Sequence, residues 1–415
     1  MNAIVTEAPP PGNDRLPGRG TERTLLVLAA LPAVVRADGH WMLPTKLVSG
    51  MRLYAERWPG RVVLGLPGGD TLSDALDNAP WDPAKLPFGL LRLSFADLAA
   101  RGHPILDNAT VLAMLHHDLH GLAQLCRQQN ARLVVNTELT LNTQLQIARA
   151  SQPLGPGLLK AVVWLLLNHR RALREIGLAH GLQCNGTPTF DAFAHRNPHP
   201  LLYLDNRTTR DMLATPQHQA DRARRIAERG RLRLLFSGRL HPIKGAHHLL
   251  PMAEHLRRMG VDFELVIAGD GPLRPELERQ IQQRGLHPQV QCLGALDFAT
   301  ELMPLLRETV DLFVCPHLQG DPSCTYLETL SGGVPIAGYP NEAWQGLQRR
   351  SQAGVVCRAS QPQALAEAVA ALLSTPDRLT DLSTRALAFA ASHLFETEFD
   401  ARISHLQRVS AGKAA

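Results

Sequence analysis

The sequence predicts an α/β protein with two domains, each built on a parallel sheet that carries helices on both faces. The first half of the chain alternates buried strands with amphipathic helices, a pattern typical of such sheets. The second half repeats the alternation, and its strands end in tight glycine turns. With 415 residues, of which 45% are hydrophobic and 20% charged, the chain is long enough for two complete cores.

The strand and helix patterns of the first half follow one another in a regular order. Apolar runs predict buried strands at residues 24–31, 61–66, 91–95, 131–136 and 180–184. Amphipathic helices are predicted at residues 46–57 and 111–129, and a turn at residues 185–188. We interpret the polar, arginine-rich run at residues 206–230 as the connection, so that the first domain covers residues 23–205.

The first motif of the second half is FSGRLHPIKG, at residues 236–245. A buried strand at residues 232–236 is broken by Gly238 at its carboxyl end, the edge where open α/β sheets bind ligands. Arg239 and Lys244 lie on either side of the next loop, at this edge of the sheet. An anion is the partner that two neighbouring cations favour. The chain has only five lysines among its 43 basic residues, so a lysine at this position departs from the chain's general preference for arginine. The alternative is a solvated turn with two ordinary surface cations.

The second motif is VIAGDGPL, at residues 266–273. A strand at residues 263–268 runs into a turn formed by Gly269, Asp270, Gly271 and Pro272. Glycine permits a turn this tight, and its backbone amides can then lie against a base or a phosphate. The alternative is a plain connection to a helix that starts within residues 273–277.

The third motif, CTYLETLSGGVPI at residues 324–336, follows a strand at residues 310–315 and a polar loop. It predicts a helix from Thr325 to Leu330 with Ser323 as its N-cap. Helix N-termini bind anions through free amides, so this one is a candidate to hold a diphosphate. Glu328 lies one turn into the helix, where it is placed to accept hydrogen bonds from ribose hydroxyls.

The order and spacing of the three motifs resemble the donor half of the retaining family-4 (group 1) glycosyltransferases of the GT-B fold. That family's pattern is GRL...KG, a GxGP turn, then E-x7-E with a small-residue GxP, and the resemblance covers residues 232–391. It implies two Rossmann-like domains facing each other across a cleft, with the donor domain at residues 231–393. A last helix at residues 394–415 would return toward the first domain.

The resemblance also implies a function. A sugar would pass, with retention, from a nucleoside-diphosphate sugar to a saccharide or lipid-linked acceptor, in the synthesis of cell-surface polysaccharide. In this family the counterparts of Arg239 and Lys244 grip the donor diphosphate, and the second Glu of E-x7-E, here Glu328, holds the ribose. The site would work by electrostatic stabilisation, and Arg239 and Lys244 would take the role of a metal. We therefore expect no metal and no cofactor beyond the donor substrate.

The chain departs from the family pattern at one position. The first Glu of E-x7-E is replaced by Gly320, and Asp321 supplies a carboxylate there if the loop shifts by one residue. The alternative function is therefore a catalytically silent GT-B protein that binds a saccharide or a protein partner. Besides Arg239, Lys244 and Glu328, the expected donor contacts are Gly238, Gly269, Gly271, Pro272, Asp321, Ser323, Cys324, Thr325 and Glu342.

Candidate acceptor-side residues follow strands of the first half. Asp38 and His40 lie in the loop after the first strand, and Glu138 follows the apolar run at residues 133–135. Carboxyl ends of parallel strands meet at one edge, so all three are expected to face the cleft. The alternative is that they are ordinary polar loop residues.

A metal site is not favoured elsewhere in the first half. His116 and His120 are predicted to share one helical face beside His117, which resembles metal-ligand spacing. Asp118 would project from another face. A solvated histidine stripe is therefore the favoured interpretation.

The formal charge of +5 and the pI near 9.0 point to an anionic partner. Nucleic acid is not favoured, because the basic residues are scattered and only four tyrosines are available for stacking. An acidic membrane surface fits better, and the basic, Trp164-containing segment at residues 158–176 is a candidate interfacial helix. The alternative is a core helix with an exposed basic end.

Other classes are excluded by missing patterns. Residues 1–22 lack the apolar run of a signal peptide and are predicted to be a flexible tail, which places the protein in the cytoplasm, with the inner face of the membrane as a candidate location. The six cysteines lie far apart, so neither a zinc site nor a disulfide framework is indicated. No GxGxxG turn follows the first strand, as a dinucleotide-dependent dehydrogenase would require.

Overall fold

A computed structural model of the chain describes residues 23–69, 77–151, 153–228 and 231–412. The predicted tail at residues 1–22 lies outside the described residues. So do residues 229–230 of the predicted connection and residues 413–415 of the predicted last helix.

Strands and helices alternate through most of the described chain. The strands are β1 Thr24–Leu28, β2 Val34–Val35, β3 Trp41–Pro44, β4 Val62–Leu66, β5 Asn78–Trp81, β6 Gly89–Arg92, β7 Ala109–Met114, β8 Arg132–Thr137, β9 Gly181–Asn185, β10 Pro200–Tyr203, β11 Leu232–Ser237, β12 Phe263–Ala268, β13 Val290–Gly294, β14 Leu312–Cys315, β15 Ile336–Gly338 and β16 Gly354–Val356. The α-helices are α1 Thr45–Arg57, α2 Phe95–Arg101, α3 Leu122–Gln128, α4 Leu141–Ser151, α5 Pro156–Leu178, α6 Gly186–Phe193, α7 Pro216–Ala227, α8 Leu249–Arg258, α9 Arg274–Gln283, α10 Met303–Glu308, α11 Thr325–Ser331, α12 Glu342–Ser351, α13 Pro362–Leu373, α14 Pro376–Ala391 and α15 Phe395–Ser410.

Two parallel sheets form the framework of the molecule. The first has seven strands in the order β10-β9-β8-β7-β1-β4-β6, and the second has six in the order β13-β12-β11-β14-β15-β16. The central strands are apolar throughout, as in the TLLVL of β1 and the VVLGL of β4, because helices cover both faces of each sheet. We call the seven-stranded sheet with its helices the first unit and the six-stranded sheet with its helices the second unit. A small antiparallel sheet, β2-β3-β5, is formed by segments of the first unit.

The last helix packs on the first sheet although the preceding helices belong to the second. Helix α15 contributes Phe399, Ile403 and Leu406 to a core shared with β1, β4 and α1. Gly50 of α1 permits the close approach, since a Cβ atom there would lie 2.6 Å from the Phe399 ring. The two segments that cross between the sheets are bonded to each other, with Phe395 N donating to Thr208 O over 2.9 Å.

Three element predictions were wrong. The helix predicted over residues 111–129 is strand β7, a short 3₁₀ turn and then α3. The apolar run TVLAML fits a strand buried on both faces as well as a helix, so periodicity alone misassigned it. The predicted turn at residues 185–188 is the start of α6, and the strand predicted at residues 91–95 lies earlier, as β6.

Candidate functional site

Two glycine turns lie side by side at the carboxyl edge of the second sheet. Gly238 N donates to Ala268 O over 3.0 Å, and Leu240 N donates to Asp270 O over 2.9 Å. A Cβ atom on Gly269 would lie 2.0 Å from Gly238 O, and Gly269 has a φ of +143° that L-residues rarely adopt. The turns after β11 and β12 therefore need glycine to pack backbone against backbone.

The second turn leads directly into helix α9. A Cβ atom on Gly271 would lie 2.7 Å from Leu240 O, so this glycine is also fixed by the neighbouring turn. Asp270 accepts a hydrogen bond from Gly271 N at 2.7 Å and pairs with Arg274 at 3.0 Å. Pro272 follows at the carboxyl edge of the sheet, just before α9.

The two predicted cations differ in their surroundings. Arg239 is exposed, while Lys244 is mostly buried and pairs with Asp321, Nζ to Oδ2 at 2.7 Å. Burial alone would raise the pKa of Asp321, but the ammonium of Lys244 outweighs it and holds that pKa below its ordinary value. Lys244 is positioned by a 3₁₀ turn that ends at Gly245, whose φ of +67° brings it against Pro316 O.

Buried polar atoms without a protein partner lie beside this ion pair. His317 is buried, and burial lowers its pKa to about 3, with the charge of Lys244 adding to the effect. Among the described residues, His317 Nε2 and Asp321 Oδ1 are buried without a hydrogen-bond partner. These two atoms are available to bond a ligand, an ion or water.

Helix α11 starts at the predicted residue, Thr325, but its cap is not the predicted one. Cys324 occupies the N-cap position and no side chain caps the first turn, while Ser323 Oγ donates to Thr325 Oγ1 over 3.2 Å. The prediction of Ser323 as N-cap was therefore wrong, because the loop takes one more residue before the helical turn begins. The helix ends as predicted in the left-handed region, at Gly333 with a φ of +68°.

Glu328 lies on α11 and is 4% exposed. Its Oε1 accepts a hydrogen bond from Arg207 Nε at 2.9 Å, and the Arg207 guanidinium lies 4.0 Å from the centre of the Phe298 ring. Burial alone would lower the pKa of Arg207, but the carboxylate of Glu328 raises it above its ordinary value. Sequence reasoning missed Arg207, which lies in the polar run interpreted as a plain connection.

The Gly320 loop meets the first unit of the fold. A Cβ atom on Gly320 would lie 3.1 Å from Glu342 Cβ and 3.3 Å from Thr143 Oγ1, so a larger residue would press on both units. Glu342 accepts hydrogen bonds from Thr140 Oγ1 at 3.1 Å and Asn142 Nδ2 at 2.6 Å. Glu342, expected to contact the donor, thus bridges to the first unit in this structure.

A lysine from the first unit reaches the same loop. Lys46 of α1 pairs with Asp205 at 2.5 Å and donates to Cys324 Sγ at 3.1 Å. Burial raises the pKa of the Cys324 thiol to about 12, so it stays protonated at neutral pH. The scarcity of lysine that drew attention to Lys244 applies equally to Lys46, and that signal was not used.

A cavity of about 370 Å³ opens in the first unit between β1, α1 and α15. Its wall is mainly apolar, and Lys46, Glu138, Asp205 and Arg402 are among its polar lining groups. Burial raises the pKa of Glu138, and the nearby charge of Asp205 adds to this. Arg402 is buried against the Tyr203 ring at 4.2 Å and donates to Gln183 at 3.0 Å.

The other acceptor-side candidates are placed differently. Asp38 and His40 lie at the exposed tip of the β2-β3 hairpin and do not line this cavity. They contact each other, with His40 N donating to Asp38 Oδ1 over 3.1 Å, which lowers the pKa of Asp38. Glu138 and the two hairpin residues are therefore not brought together at one cavity.

The predicted histidine stripe is a turn. His116 and His120 flank a 3₁₀ turn, His117–Leu119, and do not share a helical face. The donor atoms of His116, His117 and Asp118 lie within 4.8 Å of one another on a partly exposed surface.

Comparison with known proteins assigns this architecture. Residues 218–388 match the family described as Glycosyl transferases group 1. The structure superposes on that of HepE (Alr3699) from Anabaena, in complex with UDP, with a TM-score of 0.63 at 15% identity, covering 92% of this chain and 98% of that one. Sucrose-phosphate synthase from Thermosynechococcus elongatus gives 0.61 at 14% identity, over 93% and 98%. The fold is GT-B, and the chain resembles the group 1 glycosyltransferases. The fold prediction of two Rossmann-like units is thereby confirmed.

Sequence relatives match only part of this GT-B chain. Alpha-D-kanosaminyltransferase from Streptomyces kanamyceticus is 30% identical over 179 residues, which is 43% of this chain and 46% of that protein. The putative glycosyltransferase EpsF from Bacillus subtilis is 36% identical over 126 residues, 30% and 32% of the two chains. The chain thus matches less than half the length of these relatives. None of the described helices is both long and apolar enough to span a bilayer.

Proposed function

We propose that this GT-B protein transfers a sugar, with retention, from a nucleoside-diphosphate sugar to a saccharide or lipid-linked acceptor. The observation that carries the proposal is the clustering at one sheet edge of Arg239, Lys244 and the glycine turn that ends β12. This cluster falls inside the segment that matches the group 1 family. We infer synthesis of a cell-surface polysaccharide as the context from the resemblance of the three motifs to the retaining family-4 glycosyltransferases.

The donor would lie along the carboxyl edge of the second sheet. Arg239 and Lys244 would bind the diphosphate, and each charge-assisted hydrogen bond contributes on the order of 1.5–3 kcal/mol. Glu328 would accept hydrogen bonds from the ribose. The crystal structures of Anabaena HepE contain UDP and UDP-glucose. A matching mycobacterial mannosyltransferase is GDP-mannose-dependent, so both nucleotides are the first probes.

The chemistry proposed is a same-face displacement. The bond between the anomeric carbon and the phosphate oxygen breaks, and the acceptor oxygen bonds to that carbon from the same side. The acceptor hydroxyl passes its proton to the leaving phosphate, so no protein base is required. Negative charge grows on the diphosphate as the bond breaks, and Arg239 and Lys244 stabilise it more strongly there than in the ground state. Because these cations supply the compensating charge, we expect no dependence on a divalent metal.

The cavity of the first unit would receive the acceptor. Its wall is mainly apolar, which favours an acceptor with an apolar part over a free saccharide. Glu138 lines the cavity, and its carboxyl group would position the acceptor hydroxyl. Asp38 and His40, at the exposed hairpin, would contact only an acceptor that extends beyond the cavity.

A second candidate is a catalytically silent GT-B protein that binds a saccharide or a protein partner. Two observations favour it: Gly320 offers no carboxylate to the sugar, and Asp321 is already held by Lys244. Calorimetry with UDP, GDP and ADP separates the two. A silent protein that has lost its donor site would bind none of them.

The test is a screen of nucleotide-sugar hydrolysis and transfer by the purified protein. Arg239→Ala and Lys244→Ala should both abolish turnover of the preferred donor. Arg239→Ala should leave the melting temperature nearly unchanged, whereas Lys244→Ala should lower it, because Asp321 then loses its ion-pair partner. Lys85→Ala is the matched control, because Lys85 is exposed and pairs only loosely with Asp82 at 3.7 Å. Full activity in both site variants would refute the assignment.

A further inference from the structure

Helix α5 presents apolar side chains to solvent in unusual number. Nine large hydrophobic side chains are exposed within the described residues, and six of them lie on this helix or in the loop before it. Leu154 is 93% exposed, Leu159 66% and Leu167 55%. Contiguous exposed apolar side chains mark an interaction surface rather than a random surface composition.

These side chains form one outer strip along the helix. Leu159, Val163 and Leu167 recur every four residues, so they lie on one face, and Arg170 and Arg174 extend the same line. We define the outer strip as Leu159, Lys160, Val163, Trp164, Leu166, Leu167, Arg170, Arg171 and Arg174. All nine residues are exposed.

The opposite face fixes the helix to the protein. Leu158 and Ile176 are buried, and Glu175 accepts hydrogen bonds from Gly121 N at 2.7 Å and Ala123 N at 3.0 Å, at the start of α3. Glu175 is the one acidic residue of α5, and this anchoring role keeps it off the outer strip. The outer strip is thus rigidly held and carries positive charge alone.

The chemistry of the outer strip selects its partner. Apart from Lys160, the first three turns of the helix carry no charged residue, and the later turns add three arginines. An apolar segment flanked by cations matches the boundary between acyl chains and anionic headgroups of a bilayer. The phosphate backbone of a nucleic acid offers no counterpart for the exposed leucines.

We propose that the outer strip of α5 docks this protein on an acidic membrane surface. The leucines and Trp164 enter the interfacial region, and the arginines contact the phosphates. The helix lies parallel to the bilayer and does not cross it. This adds a partner to the proposed function and does not rest on it.

The experiment is co-sedimentation of the full chain with vesicles of phosphatidylcholine alone or mixed with phosphatidylglycerol. Binding should appear with the acidic vesicles and weaken as salt is added. Leu167→Glu should weaken it about tenfold or more, and Arg170→Glu about fivefold or more. The matched controls are Met259→Glu, at a methionine that is 49% exposed, and Arg378→Glu, at another exposed arginine. Both controls should bind as the wild type does.

Three results would overturn the proposal. The first is no binding to acidic vesicles at low salt, and the second is equal loss in the control variants. The third is a dimer in analytical ultracentrifugation that Leu167→Glu dissociates without changing vesicle binding, since the outer strip would then be an interface between copies. Nucleotide binding, measured on the same samples, reports on the donor site separately, so failure here is distinguishable from failure of the proposed function.

Discussion

At the residue scale, the charged groups expected to hold the donor already have protein partners. Lys244 is paired with Asp321, and Glu328 is paired with Arg207. Arg239, in contrast, is exposed at the carboxyl edge of the same sheet. A diphosphate carries more negative charge than one carboxylate, so it can replace Asp321 as the partner of Lys244. The donor diphosphate would then bind first to Arg239, and Lys244 would afterwards exchange Asp321 for the diphosphate as its ion-pair partner.

Removing the competing carboxylate should strengthen nucleotide binding. Asp321→Asn frees Lys244 from its ion pair, and we expect UDP or GDP to bind several-fold more tightly by calorimetry. Asp262→Asn is the control, since Asp262 pairs with Arg231 on the surface. Weaker binding in Asp321→Asn would show instead that Asp321 helps to hold the donor.

Replacing the buried carboxyl in the cavity should stabilise the fold. Burial raises the pKa of Glu138, so ionised Glu138 opposes folding, and the wild type loses stability as pH rises through that pKa. Glu138→Gln cannot ionise and should melt at a higher temperature at neutral pH. The gain should disappear below the ordinary pKa of 4.5. A lower melting temperature at neutral pH would contradict this explanation.

At the element scale, β11, β12 and β14 of the second sheet could be predicted, whereas β13, β16 and some strands of the first sheet could not. Strand β12 lies where its sequence placed it, because a long apolar run ends abruptly in glycines. Strand β7 was taken for helix, since its apolar run continues into residues that do form α3. The small antiparallel sheet was missed because β2 has only two residues.

The stacked turns give a sharp test of why this element requires glycine. Gly269→Ala places a Cβ atom 2.0 Å from Gly238 O, while Gly260→Ala, at a φ of +70°, meets nothing within 4 Å. We expect Gly260→Ala to cost about 1 kcal/mol from backbone strain and Gly269→Ala about 3 kcal/mol or more. Urea unfolding measures both. Equal costs would mean that the turns do not pack as described.

At the scale of the whole molecule, the site depends on pairs that join distant segments. Arg239 and Lys244 could be found because they lie within one short motif. The partners of Arg207, Lys46 and Asp205 could not be found in this way, because they lie far away in sequence and are brought near only when the chain folds. The cavity was likewise unpredictable, since β1, α1 and α15 all contribute to it.

Buried and half-buried histidines should make the whole fold sensitive to acid. Burial lowers the pKa of His180, His248 and His405 to about 4 each and that of His317 to about 3. The unfolded chain takes up these protons near the ordinary pKa of 6.5, whereas the folded chain does not, so stability falls as pH drops from 6.5 toward 4. Urea unfolding at several pH values should show this decline. A flat profile over that window would contradict the burial of these rings.

The central claim is that Arg239 and Lys244 bind the diphosphate of a nucleotide donor. Calorimetric titration of the wild type, Arg239→Ala, Lys244→Ala and the control Lys85→Ala with UDP and GDP tests it most directly. We predict binding of at least one nucleotide, unchanged in Lys85→Ala and weakened about ten- to hundredfold in each site variant. Wild-type affinity in both site variants, or no binding of either nucleotide to the wild type, would contradict the claim.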